Sequence, residues 1–175
     1  GLFALVQFPY TWKFLWSPLM DRYVPPILGR RRGWALITQV CLIVLIAGMG
    51  AFAPEQSIWT IAYLCLAVAF FSASQDIVLD AYRRGILPDQ ELGLGSSMFV
   101  NAYRIAGLVP GGISLVLADH LPWHSVFLIT SLFMGVGMIA CFLAPEPEGQ
   151  VTPPQNMRDA VIDPFREFFT RQGMG

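Results

Sequence analysis

The chain has 175 residues, 55% of them hydrophobic, 13% aromatic and only 13% charged, with a mean hydropathy of +0.55. A water-soluble domain carries about 25% charged residues, so this composition excludes a solvated globule and points to a membrane protein. Lys+Arg number 11 against Asp+Glu 12, for a net charge of -1, which excludes nucleic acid as a partner and leaves charge meaningful by position only.

Five apolar stretches follow one another, at residues 2–20, 34–53, 59–79, 94–118 and 123–144. Each is close to the roughly 20 residues that cross a hydrocarbon core of about 30 Å. The expected fold is therefore all-α, a polytopic helix bundle inserted in the lipid bilayer. The first span carries Lys13, the second no charge, the third Asp76 with Asp80 just past its inner end, the fourth Arg104, and the fifth no charge. Arg22, Arg30, Arg31 and Arg32 follow the first span, Arg83 and Arg84 the third, and Arg158, Arg166 and Arg171 the fifth. The opposite loops, 54–57 and 119–122, hold no Lys or Arg. By the positive-inside rule the arginine-bearing connections are cytoplasmic and the Gly1 end is external. Residues 145–175 turn to Pro, Glu, Gln and Arg, which reads as a cytoplasmic linker, and residues 160–169 group apolar and charged side chains as a short surface helix would. An odd set of spans followed by a linker suggests a piece of something larger.

Cys41, Cys65 and Cys141 lie inside apolar runs without metal-ligand spacing, and His120 and His124 flank an outer Pro-Trp turn, so neither metal nor other cofactor is expected.

Charges inside a membrane are costly unless they face protein or water, at about 2.5–3.5 kcal/mol or more each. Counted at about 1.5 Å per residue, Lys13, Asp76 and Arg104 lie about 12, 10 and 15 Å from the inner face and share one layer. Asp76 and Asp80, four residues apart, point from one helix face flanked by Gln75 and Tyr82. One reading is an ion-paired network that fixes helix packing. The other is a polar cavity in which Asp76 or Asp80 takes up a proton, while Arg104 and Lys13 hold an anionic substrate with help from Gln75, Asn101, Tyr103 and Tyr10. Polar residues concentrate on the first, third and fourth spans, which are expected to line the wet space; the second and fifth are expected to face lipid. Gly107–Gly112, with Pro110, should bend the fourth span.

The loop Ser17-Pro18-Leu19-Met20-Asp21-Arg22, followed by Gly29-Arg30-Arg31-Arg32, resembles the GxLxDRxGRR loop of major facilitator superfamily transporters, with Ser17 at the usual Gly and Pro25-Pro26 inserted. If so, the five spans are the second to sixth helices of that fold's N-terminal lobe. Those departures, with Ser72-Ala73-Ser74-Gln75-Asp76-Ile77-Val78-Leu79-Asp80-Ala81-Tyr82 and the Ala144-Pro145-Glu146-Pro147 exit, closely resemble the AmpG family of bacterial inner-membrane muropeptide permeases. The resemblance implies proton-driven import of N-acetylglucosaminyl-anhydro-N-acetylmuramyl peptides for peptidoglycan recycling, a process that also governs β-lactamase induction. It implies a gate latch at Asp21, Arg22, Gly29, Arg30, Arg31 and Arg32, and a cavity completed by a C-terminal lobe of the same protein, acting as a monomer. Acetyl-CoA transporters share versions of both motifs and are the alternative within the clan. An intramembrane aspartyl enzyme would need its carboxylates on facing elements, whereas Asp76 and Asp80 share one helix and no GxGD sequence occurs. A carrier, not an enzyme, is expected.

Overall fold

The structure, a computed structural model, describes residues 3–52 and 58–147. The outer loop at 54–57 and the tail in which a surface helix was expected, beyond residue 147, lie outside the described residues. Among the described residues all regular structure is helical: α1 (Phe3–Trp12), a 3-10 turn (Lys13–Leu15), α2 (Ser17–Arg22), α3 (Arg30–Met49), α4 (Ile58–Ile86), a second 3-10 turn (Asp89–Glu91), α5 (Leu92–Ala106), a π turn (Val109–Ile113), α6 (Ser114–Ala118), α7 (Trp123–Phe133) and α8 (Gly135–Leu143). Four stretches of it, Arg30–Met49, Ile58–Ile86, Asp89–Ala118 and Trp123–Leu143, are long and apolar enough to cross a membrane. The chain is a multi-pass membrane protein.

The first expected span, 2–20, is not one helix. Pro18 has no N–H to give to the carbonyl of Phe14, and its ring crowds that carbonyl, so the turn before it tightens into the 3-10 form. Trp16, at φ -106 and ψ -4, closes the break, and α2 restarts with Pro18 in its first turn. A second proline acts differently. Pro110 leaves the carbonyl of Ala106 without its usual donor, and the chain widens into the π turn at Val109–Ile113. The Ser114 hydroxyl then donates to Val109 O at 2.9 Å and meets Thr130 Oγ1 at 2.8 Å, which ties the irregular turn to α7. The third span runs on past its expected end at 79 as far as Ile86.

Helix α3 is central: it packs along α4 on one side and against α7 and α8 on the other, while α4 carries α1 on its far flank. Between helices in lipid there is no hydrophobic driving force, so close packing of small residues and interhelical hydrogen bonds must hold them. Ala35, Ala69, Ala73 and Ser74 are all buried at these seams, Ala73 fully. Gln39, 4% exposed, donates to Met134 O at 2.6 Å where α7 gives way to α8, and accepts from Gln75 Nε2 on α4. One amide thus joins three elements. Near the arginine-rich end, Met20, Ala35 and Val78 form an apolar cluster with Trp16, Trp34, Ile77 and Cys141.

Candidate functional site

The charged layer is assembled around the break in the first span. Above it, the Tyr10 hydroxyl donates to Ser72 Oγ at 2.7 Å; below it, the Trp16 indole N–H donates to Ser74 Oγ at 3.0 Å. Lys13 lies between these two bonds, and its charge acts on Asp76 across the interface. The same lysine lines an open cleft of about 530 Å³ that also takes in Ser17, Asp21, Arg31, Asp80 and Arg84. Asp80 is paired within its own helix, with Arg83 at 3.0 Å, and Arg83 in turn lies 5.0 Å from the centre of the Phe99 ring on α5.

The structure does not gather all four expected charges. Lys13, Asp76 and Asp80 stand together, but Arg104 is exposed and makes no hydrogen bond or ion pair among the described residues. The reason is the lie of α5: it meets Arg83 of α4 at Phe99, at its middle, and has no buried residue along its length. Arg104 therefore does not neutralise Asp76. Asn101 and Tyr103 share its exposure, Tyr103 at 73%. Gln75 points into the amide junction with Gln39, so its donor is already engaged. Tyr10 has spent its proton on Ser72 but keeps its oxygen as an acceptor.

At the arginine-rich end the three consecutive arginines do three different things. Arg30 Nη1 donates to the backbone carbonyl of Asp21 at 3.3 Å. Arg31 stands close enough to the Asp21 and Glu146 carboxylates to feel both charges, and its backbone N–H donates to Glu146 Oε1 at 3.3 Å. Arg32 turns away to α8, where Nε and Nη2 donate to Cys141 O and Phe142 O, each at 2.8 Å. A cation there meets the negative end of the helix dipole and satisfies terminal carbonyls that have no partner within the helix. Arg22 is exposed at the end of α2.

Gly29 is needed here twice over. Its φ of +84 lies in the left-handed region, and a Cβ would sit 2.8 Å from Glu146 Oε1. Glu146 belongs to a short strap across the ends of α3 and α4. Pro145 O accepts from the Tyr82 hydroxyl at 2.7 Å, and a Cβ on Gly85 would come within 2.9 Å of Pro147 Cβ. Glu146 Oε2 is buried and has no hydrogen-bond partner among the described residues. The sequence reading missed Glu146, Gln39 as a junction, and Trp16. The available signal for Glu146 was a lone acid between two prolines at the same membrane face as the arginine run.

Comparison with known proteins places this arrangement. The Major Facilitator Superfamily model matches residues 2–174. The chain belongs to the major facilitator superfamily. Among superfamily relatives, an uncharacterized protein of Haemophilus influenzae is 52% identical over 99% of this chain and 41% of its own length. The anhydromuropeptide permease of Escherichia coli K12 is 46% identical over 98% of this chain and 35% of its own length. A putative transporter AmpG 3 of Rickettsia typhi is 32% identical over 97% of the chain. The chain thus spans well under half the length of these relatives. The last arginine of the Asp21 to Arg32 loop serves as a helix cap on α8.

Proposed function

We propose that this chain is the N-terminal part of a proton-driven carrier that imports anhydromuropeptides across the bacterial inner membrane, without chemical change to them. Its Gly1 end is external and residues 145–175 are cytoplasmic, a reading that the arginine distribution supports. A C-terminal lobe of the same monomeric protein completes the cavity. The observation that carries the reading is a cleft lined by Lys13, Asp21, Arg31, Asp80 and Arg84, with the Lys13 charge reaching Asp76 one turn from Asp80; the likeness to the Escherichia coli permease supports the choice of cargo.

A muropeptide carries carboxylates. A cargo carboxylate that draws Lys13 away from Asp76 alters the cost of charge on Asp76, and cargo binding is thereby linked to proton binding. Asp80, held by Arg83, sits one turn nearer the cytoplasm on the same helix and passes protons between Asp76 and the cleft. Arg104, with Asn101 and Tyr103 on the open face of α5, offers a planar fork to a second cargo carboxylate. The Asp21 and Arg30–Arg32 loop latches the cytoplasmic gate.

The test is uptake of labelled anhydromuropeptide by proteoliposomes of the full-length protein under an imposed pH gradient. Accumulation should vanish in Asp76→Asn while cargo exchange without a gradient persists, and excess acetyl-CoA should not compete. Uptake by wild type that ignores the gradient would reject proton coupling, and competition by acetyl-CoA would favour the alternative cargo.

A further inference from the structure

The break in the first span is held in place by more than its proline. Trp16, the residue that closes the break, lies with its ring 4.8 Å from that of Phe70 on α4, tilted by 38°. Its indole N–H reaches Ser74 Oγ, one helical turn further along α4. Ser74 is 3% exposed and gives its own proton to Phe70 O at 2.8 Å. With that proton committed, the Ser74 oxygen is an acceptor, which matches the indole N–H, a group that can only donate. Phe70 and Ser74 together form a fixed seat for one side chain.

The seat matters because of what lies three residues upstream. Lys13 belongs to the 3-10 turn, where the backbone runs differently from a helix and the side chain leaves it in a different direction. Tyr10, bonded to Ser72, fixes the helix before the turn; Trp16 fixes the chain after it. With both ends pinned to α4, Lys13 is held at the cleft it lines, and its charge reaches Asp76. Among the described residues the charges that act on Asp76 are Lys13 from the break and Asp80 from its own helix; Arg31 and Arg84 lie in the adjoining cleft.

We propose that Trp16 is a positioning residue for transport: its indole N–H on Ser74 sets the helix break so that Lys13 can face either Asp76 or an anion in the cleft. This deepens the carrier reading given above and rests on it for the role of Lys13. Without the indole bond the turn is free to relax toward continuous helix or to swing off α4, and Lys13 loses its fixed aim.

Two measurements on the full-length transporter test positioning and transport separately. For positioning, Lys13→Cys is introduced with Cys41, Cys65 and Cys141 replaced by Ala, and its rate of modification by a small membrane-impermeant thiol reagent is followed. Adding Trp16→Phe or Ser74→Ala should each change that rate at least fivefold, and combining them should change it no further, since both remove one bond. For transport, with Lys13 in place, either substitution should raise KM for anhydromuropeptide about fivefold and displace the pH midpoint of uptake in the same direction as Lys13→Met. An unchanged modification rate at position 13 overturns the proposal. So does a lowered thermal midpoint with KM and pH profile intact, which is the result of a packing role alone. If position 13 responds to Trp16 while Lys13→Met leaves KM and pH profile unaltered, the positioning stands and the cargo role of Lys13 falls.

Discussion

Replacing Gly137 with Ala puts a methyl group where the structure has an amide. A Cβ there would lie 2.6 Å from Gln39 Nε2 and 2.9 Å from its Cδ, distances at which something must move. Backbone of α8 is fixed by its seam with α3, so the Gln39 side chain is what yields. It then loses its bond to Met134 O and the one it accepts from Gln75. Interhelical hydrogen bonds in membrane proteins average about 0.6 kcal/mol and reach about 1.7, so two of them amount to about 1–3 kcal/mol. Overpacking in a close-packed seam adds about 1 kcal/mol. Gly137→Ala should therefore destabilise the full-length protein by about 2–4 kcal/mol, measured by reversible unfolding in mixed micelles. The diagnostic is a double-mutant cycle. Gln39→Ala removes the same bonds and opens the space, so Gly137→Ala added to it should cost nothing further. An equal cost of Gly137→Ala in both backgrounds, or a change within about 0.5 kcal/mol of wild type, would refute the junction as drawn.

Other substitutions separate the roles of neighbouring groups. Arg32→Ala removes two charge-assisted bonds to the last carbonyls of α8, so amide exchange over residues 141–147 should rise and stability fall by about 1.5–3 kcal/mol; Arg32→Lys should recover only part of this, because a point charge cannot span both carbonyls. Gly85→Ala should lift Pro147 off α4 and speed exchange at the Arg31 amide through the displaced Glu146, and an unaltered Arg31 amide would break the link between the two ends of the strap. Ser114→Ala frees the Val109 carbonyl and cuts the tie to Thr130, so paired labels on α5 and α7 should show a broader distance distribution. Arg104→Lys, on a face with no protein partner to disrupt, should keep its thermal midpoint yet lose muropeptide binding by about 1.5–3 kcal/mol; equal affinity would remove Arg104 from the cargo site.

Much of the architecture was legible before any coordinates, because in a bilayer every backbone polar group must be satisfied within the segment. A run of twenty apolar residues can then hardly be anything but a helix, and most arginines gather at the ends of these runs. Composition and the length of the apolar runs therefore determined an all-helical membrane bundle. Local chemistry also foretold the distortion near Pro110, since a proline removes its donor wherever it falls. What the sequence could not decide was direction around each helix axis. Gln75 and Asp76 are neighbours in the chain, yet one enters an amide junction with α3 and the other comes under the charge of Lys13, a difference set by how α3 and α1 sit against α4. Arg104 counts to the same layer as the others, yet it stays exposed, because α5 buries none of its residues and meets Arg83 of α4 at Phe99. Arg30, Arg31 and Arg32 look alike in a row, and only the packed ends of α2, α8 and the Glu146 strap give each a different partner. Depth is a one-dimensional property and can be read along the chain; partnership is three-dimensional and belongs to the tertiary structure.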